Sequence, residues 1–90
     1  MSVLLVTYDL RKPGRSYEPL YAALRKYMHC HGMESIWLLD TVADPAAVRD
    51  QLAALIDAND AIFVVRLHQH WASRGYNCSE WLKDPIRTWD

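Results

Sequence analysis

The sequence predicts an α+β fold, because three observations agree along its 90 residues. Apolar runs of β-forming residues start at Val3 and at Ala61, and a third such run lies between them. Two segments with a helical apolar period separate these runs. The order βαββαβ is typical of a ferredoxin-like domain, a four-stranded antiparallel sheet with two helices on one face. We expect this domain to span residues 1–67 and an aromatic C-terminal tail to span 68–90.

The first two elements follow from local signals. Residues 3–8 form a nearly continuous apolar run, which predicts a strand that ends at Asp9. Ser16 is a good helix N-cap, and apolar residues recur from Leu20 at spacings of three and four. The first helix is therefore predicted over about residues 16–28.

The middle of the chain predicts two strands and a helix. A short strand is expected at 29–33, and a tight connection leads from it to a longer strand at 35–41. Asp44 then precedes Pro45, an N-cap followed by proline at the first helical position. This pair predicts the second helix over 45–57.

The last strand is the apolar run at 61–67, after a turn signal. Beyond it, the tail has too many aromatic side chains to remain free in water, and Ser79 is a candidate cap for one helical turn. We expect the tail to pack on the domain or across a dimer.

Composition and charge limit the classes of function that the chain can have. The net charge of −1 argues against a protein that coats polyphosphate by charge alone, although basic residues concentrate in 11–26 and acidic ones in 40–60. No export signal and no apolar run of about 18 residues is visible, which predicts a cytoplasmic protein with no membrane partner. Cys30 and Cys78, which form no CxxC pair, are predicted to be reduced.

Asp9 is the leading candidate for chemistry. It ends the first strand directly before a turn that carries Arg11, Lys12 and Arg15, so the carboxylate could hold Mg²⁺ or Mn²⁺ while the cations meet phosphates. The alternative is a carboxylate that caps the turn. One carboxylate per chain is a poor metal site, so the first interpretation needs a two-fold axis that pairs two copies of Asp9. Asp40, at the end of the third strand, is a candidate second carboxylate or a turn residue.

Two His-x-His pairs leave further alternatives open. His29 with His31, and His68 with His70, have the spacing of residues on one face of a strand, which suits zinc or copper ligands as well as surface or interface histidines. The same spacing places Cys30 on the opposite face from His29 and His31, which disfavours a cysteine nucleophile with a histidine base.

Several segments resemble a known family. Residues 3–10, Val-Leu-Leu-Val-Thr-Tyr-Asp-Leu, resemble the first strand and terminal aspartate of the small CRISPR-associated adaptation proteins, and Ser35-Ile36-Trp37 resembles that family's Ser-Val-aromatic segment. The resemblance covers about residues 2–67 in element order and spacing. It is closer still to SinR-like bacterial and phage relatives, and the virulence-associated D ribonucleases are more distant kin.

The resemblance implies a ferredoxin-like homodimer in which two first-strand aspartates face each other, bind a divalent ion and, in some members, cut RNA or DNA. By position, Asp9 would be the catalytic and metal-binding residue, and Arg11, Lys12 and Arg15 would form a nucleic-acid-binding loop. The alternative is a non-catalytic dimer of a mobile-element or antiviral defence system that binds nucleic acid or scaffolds other proteins. A third hypothesis is an interaction module that binds another protein through the Trp-rich tail.

Overall fold

The computed structural model describes residues 1–12 and 14–89. Within this part of the chain there are four strands and three helices, an α+β fold as the sequence predicts. In chain order the elements are β1 (Ser2–Asp9), α1 (Glu18–Arg25), β2 (Met28–Met33), β3 (Ile36–Thr41), α2 (Pro45–Ala53), β4 (Ala61–Arg66) and α3 (Ser79–Lys83).

The four strands form one antiparallel sheet in the order β2-β3-β1-β4. The apolar β1 is therefore a central strand, paired with β3 on one side and with β4 on the other. Strands β2 and β4 occupy the two edges, where one row of backbone groups stays unpaired by the sheet. The predicted four-stranded antiparallel sheet is confirmed.

Helices α1 and α2 cover one face of the sheet. Alternate residues of the central strands point toward the helices and bury a continuous apolar core with them. The fully and nearly fully buried members of this core are Leu4, Val6, Leu20, Ala23, Leu24, Trp37, Leu39, Val48 and Leu52.

The two helix starts differ in how well the sequence predicts them. Asp44 caps α2 as expected, because its carboxylate accepts a hydrogen bond from the backbone N–H of Ala46 at 3.2 Å. Helix α1 has Tyr17 at its N-cap position, with no side-chain capping bond. Ser16 lies one residue earlier, and its Oγ accepts from the Glu18 N–H at 3.4 Å. The side chain predicted to cap the helix thus stabilises the turn that leads into it.

Both helices are shorter than the apolar period suggests. Helix α1 ends at Arg25 because β2 begins at Met28, which already pairs with Asp40 of β3. Helix α2 ends at Ala53, where an i→i+3 bond from the Leu55 N–H to the Leu52 carbonyl at 3.0 Å tightens the last turn, well before β4 begins at Ala61. Pairing in the sheet overrides helical periodicity at the end of α1.

The sheet face away from the helices carries side chains in rows that run across the strands, because directly paired residues point to the same side. The first and second rows lie near the start of β1, and the third row lies near its end. The first row is Met28, Asp40 and Val3; the second is Cys30, Leu38, Leu5 and Val65; the third is Met33, Ile36, Thr7 and Phe63.

The C-terminal tail packs on the first and second rows. Cys78 and Leu82, 0% and 5% exposed, form a second apolar cluster with Val3 and Leu38. The backbone N–H of Leu67 also bonds to the Val3 carbonyl at 2.9 Å, which continues the β1–β4 pairing to the point where the tail begins. The sheet is therefore enclosed by helices on one face and half covered by the tail on the other.

A disulfide joins Cys30 on β2 to Cys78 directly before α3. The prediction of two reduced cysteines is wrong for this structure. Strand alternation places Cys30 on the face that the tail covers, and the tail brings Cys78 to within a Cα–Cα distance of 6.0 Å of it. The sequence predicted that Cys30 lies on the face opposite His29 and His31, but it contained no sign of which residue Cys30 meets there.

Candidate functional site

Asp9 lies at the end of β1 on the same sheet face as the three rows. Its partner across the strands is Ala61, and its side chain is 66% exposed. The Arg11 Nε donates to Asp9 Oδ2 at 2.9 Å, so the first cation after the strand folds back onto its last residue. The carboxylate is therefore accessible and already has one positive neighbour.

The basic loop after β1 lies against the acidic turn before β4. The Arg11 backbone N–H donates to Asp60 Oδ1 at 2.6 Å. Lys12 Nζ and Arg15 Nη1 approach the same oxygen of Asp57 at 3.3 Å and 3.5 Å. The two charge clusters that are separated in the sequence are therefore neighbours in the fold.

This arrangement lowers the pKa of both turn carboxyls. At Asp57 the main cause is the hydrogen bond from the Asn59 backbone N–H, and Lys12 adds to it. At Asp60 desolvation raises the pKa, but hydrogen bonds from the Arg11 N–H, the Tyr17 hydroxyl and the Asp57 N–H together outweigh it. Tyr17 has a raised pKa, because of desolvation and of the hydrogen bond to Asp60.

The charge balance of the loop follows from these contacts. Its three cations, Arg11, Lys12 and Arg15, are matched by three carboxylates, Asp9, Asp57 and Asp60. Arg11 and Lys12 still expose 56% and 58% of their side chains, so both can turn toward a ligand. The predicted basic loop is thus present, but its charge is largely neutralised within the chain.

The third row stays open at both ends, whereas the tail covers the other rows except at Met28, which is 47% exposed. Phe63 on β4 is 61% exposed and Met33 on β2 is 51% exposed, and Ile36 and Thr7 lie half-buried between them. We call these four residues together with Asp9 the open surface. It combines two exposed apolar side chains, Phe63 and Met33, with the exposed carboxylate of Asp9.

Asp40 does not join Asp9, so it cannot be the second carboxylate of a shared site. It pairs with Val3, six positions before Asp9 on β1, which separates the two residues by about 20 Å along the strand. Its side chain is 3% exposed and bonds to Arg87 of the tail at 2.6 Å. The sequence placed Asp40 beside β1 correctly, but antiparallel pairing puts it at the opposite end.

The first histidine pair lies on the helix-covered face of β2, at the sheet edge. His31 stacks on Trp37 with ring centroids 3.9 Å apart, and His29 lies 5.2 Å from the same ring. One nitrogen of His29 bonds to the Tyr27 carbonyl at 2.8 Å and one of His31 to the Glu34 carbonyl at 2.9 Å. Because a carbonyl only accepts, each of these nitrogens carries the ring proton.

The second histidine pair lies outside the strands. His68 and His70 are exposed residues of the tail just after β4. Because β2 and β4 form opposite edges, the two pairs do not share a site. Over residues 1–12 and 14–89, no group of three or more His, Cys, Asp or Glu side chains is arranged to hold a metal ion.

Two contacts of the tail were not predicted from the sequence. The partner of Asp40 is Arg87, 47 positions later, and the Cys30–Cys78 disulfide spans 48 positions. No local pattern links residues so far apart. The acidic residues before β4 form a visible charge cluster in the sequence. The opposite charge of residues 11–26 is the signal that could have indicated that the two clusters are in contact.

The chain matches no family model, and no solved structure matches it. The resemblance to the CRISPR-associated adaptation proteins therefore stays an expectation from the sequence. Among the described residues, none of the helices has the length and apolar character needed to cross a membrane.

Proposed function

We propose that the chain forms a homodimer through its open surface and acts as a divalent-metal-dependent endonuclease on RNA or DNA. The observation that carries this proposal is the position of Asp9. Its carboxylate is 66% exposed and lies directly beyond the exposed Phe63 row, on the same sheet face. Packing two such surfaces together about a two-fold axis would bury the apolar side chains and bring two Asp9 carboxylates toward each other.

The donor chemistry of such a pair fits Mg²⁺ or Mn²⁺. Carboxylate oxygens are the ligands these ions prefer, and Mg²⁺ keeps several waters, so two carboxylates are an adequate protein share. When bound, the ion supplies an activated water and neutralises charge on the phosphate. Arg11, now 2.9 Å from Asp9, would be released to bind a phosphate oxygen.

The fold supports the same proposal. The strand order β2-β3-β1-β4, with α1 and α2 packed on one face, leads us to assign the domain to the ferredoxin-like class. A cytoplasmic location stays a prediction, and the Cys30–Cys78 disulfide is more typical of an oxidising compartment.

The test is cleavage of labelled single- and double-stranded RNA and DNA with Mg²⁺, Mn²⁺ or EDTA. Asp9→Asn should abolish metal-dependent cleavage while the circular dichroism spectrum and the dimer mass stay unchanged. Asp50→Asn is the matched control, because Asp50 is also an exposed carboxylate beside an arginine, Arg49 at 2.9 Å, and should keep full activity. Full cleavage by Asp9→Asn would reject the proposal.

One observation favours a second candidate, a non-catalytic dimer that binds nucleic acid or scaffolds other proteins. The contact between Arg11 and Asp9 already satisfies the carboxylate without an ion. For such a protein, alanine at Arg11, Lys12 and Arg15 together should weaken nucleic-acid binding and flatten its salt dependence. A third proposal is that the tail binds another protein. Such a partner would have to compete with the contacts that Trp71, Trp81 and Trp89 make with the chain's own sheet.

A further inference from the structure

We propose that the C-terminal tail is a redox-controlled cover of the sheet. In the oxidised protein the Cys30–Cys78 bond holds the tail over the first and second rows. Reduction of that bond releases the tail and uncovers the apolar side chains beneath it.

The tail has little structure of its own to keep it in place. Helix α3 is five residues long, too short to be stable in isolation. Its position depends on the disulfide at Cys78, on the contact of Arg87 with Asp40, and on apolar side chains packed against the sheet, namely Leu82, Trp71, Trp81 and Trp89. Of these contacts only the disulfide is covalent.

The covered state also carries unfavourable contacts. The second carboxylate oxygen of Asp40 and the hydroxyl of Tyr76 are buried and have no hydrogen-bond partner among the described residues. Desolvation raises the pKa of Tyr76 accordingly. Both atoms lie where the tail meets the sheet, and both would regain water if the tail moved away.

The ion pair adds little net stabilisation to set against these costs. Arg87 and Asp40 are 5% and 3% exposed, so their attraction is largely offset by the loss of water around both charges. The disulfide adds a covalent restraint to the apolar contacts of the tail, because it closes a span of 48 positions and removes the open states of the tail.

Of the two bonded cysteines, Cys30 is the more accessible. Cys78 is fully buried, but Cys30 is only partly buried and lies on the edge strand β2. A dithiol, either a small molecule or a redox protein, would attack one sulfur and be oxidised to its own disulfide. The bond between the two Sγ atoms breaks, two electrons pass to the pair, and each sulfur gains one proton.

Release would enlarge the open surface. The uncovered second row lies directly beside Phe63 and Ile36, so a reduced chain offers a second copy a larger apolar face. This consequence rests on the proposed dimer, whereas the release itself does not.

The test is hydrogen exchange of the oxidised full-length chain with and without dithiothreitol, after mass measurement with alkylation has established the bond. Amides of residues 78–87 should exchange on the order of 30-fold faster after reduction, the lower end of what a disulfide typically contributes. Amides of Leu20 to Leu24 in α1 should not change. The tail amides of Cys30→Ser/Cys78→Ser should exchange as fast as those of the reduced chain, both with and without dithiothreitol.

Three results would overturn the proposal: free thiols in the unreduced protein, equal exchange of the tail in both states, or equal acceleration of α1 and tail. Equal acceleration of exchange in α1 and the tail would mean that the disulfide stabilises the whole domain and not the tail in particular. The dimer dissociation constant, measured by analytical ultracentrifugation on the same samples, separates the two proposals. Tail release without any tightening of the dimer keeps the cover and counts against the enlarged dimer surface.

Discussion

Arg87 and Asp40 form an ion pair that is buried between the tail and the sheet. The Arg87 Nη1 lies 2.6 Å from Asp40 Oδ2. The same guanidinium lies 3.7 Å from the centre of the Trp81 ring, and its Nε donates to the Trp81 carbonyl at 3.0 Å. One arginine, shielded from water, thus connects the end of β3 with the ring and the backbone of Trp81 in α3.

Arg87→Ala should lower the free energy of unfolding of the oxidised protein by about 3–5 kcal/mol, because it leaves Asp40 charged, buried and unpaired. Urea unfolding followed by fluorescence measures the change. The loss should be smaller in the reduced protein, since a released tail lets water reach Asp40.

Two variants serve as controls for this effect. Arg49→Ala removes an exposed pair with Asp50 and should cost less than about 1 kcal/mol. Replacing both buried partners, as Asp40→Leu with Arg87→Met, should recover most of the loss. A cost below 1 kcal/mol for Arg87→Ala would contradict the burial of the pair.

Gly32 on β2 is a second point where the tail approaches the sheet closely. A Cβ at this position would lie 2.5 Å from Tyr76 Cε1 and 2.8 Å from Cys78 Sγ. Gly32→Ala should therefore cost about 1–3 kcal/mol through overpacking, again measured by urea unfolding. In a Tyr76→Ala background the same substitution should cost less, and equal costs in the two backgrounds would show that the ring is not the obstacle.

Local patterns predicted the sheet and helix layers because each element carries its own periodic signal. The alternation around Cys30 placed it on the face opposite His29, as observed, and Asp44 with Pro45 predicted the start of α2. The ends of α1 and α2 were predicted too late, because pairing of β2 ends α1 and because i→i+3 bonds replace the helical pattern after Ala53.

The contacts of the candidate site were much harder to predict. Asp9 was found as a strand-end residue, but the neighbours of its loop, Asp57 and Asp60, lie more than 40 positions away. No sequence pattern distinguished Arg87 from the other cations of the tail, and only the folded tail places it over Asp40. Contacts of this kind depend on topology, which a single sequence specifies only indirectly.

The acidic turn should make stability depend on pH below about 4. The folded pKa values of Asp57 and Asp60 lie below the ordinary value of 3.8, so the unfolded chain binds more protons as the pH falls through this range. The contribution of the two groups is present above that value and is lost as the pH drops toward the folded pKa values. Unfolding midpoints from pH 6 to pH 2.5 should therefore fall less steeply for Asp57→Asn/Asp60→Asn than for wild type.

The exposed Asp50 again provides the control for the pH experiment. Asp50→Asn should leave the slope of the wild-type curve unchanged, because its ion pair with Arg49 is exposed to solvent. Parallel curves for wild type and the Asp57/Asp60 double variant would show that the hydrogen bonds to the turn do not favour the charged carboxylates.

Phe63 tests the proposed dimer without touching Asp9. It is 61% exposed on β4 and pairs with Thr7, so Phe63→Glu places a charge at the β4 end of the open surface while leaving the core of the chain intact. Because the glutamate of each copy would be buried at the proposed interface, the dimer should dissociate, with a loss of at least tenfold in affinity by analytical ultracentrifugation. Val42→Glu is the matched control, since Val42 is 81% exposed and lies outside the open surface, and it should leave the mass unchanged.

If metal-dependent cleavage is present, Phe63→Glu should lose it together with the dimer, whereas Asp9→Asn should lose it as an intact dimer. A Phe63→Glu protein that stays dimeric would place the interface elsewhere and remove the geometric basis for pairing two Asp9 carboxylates.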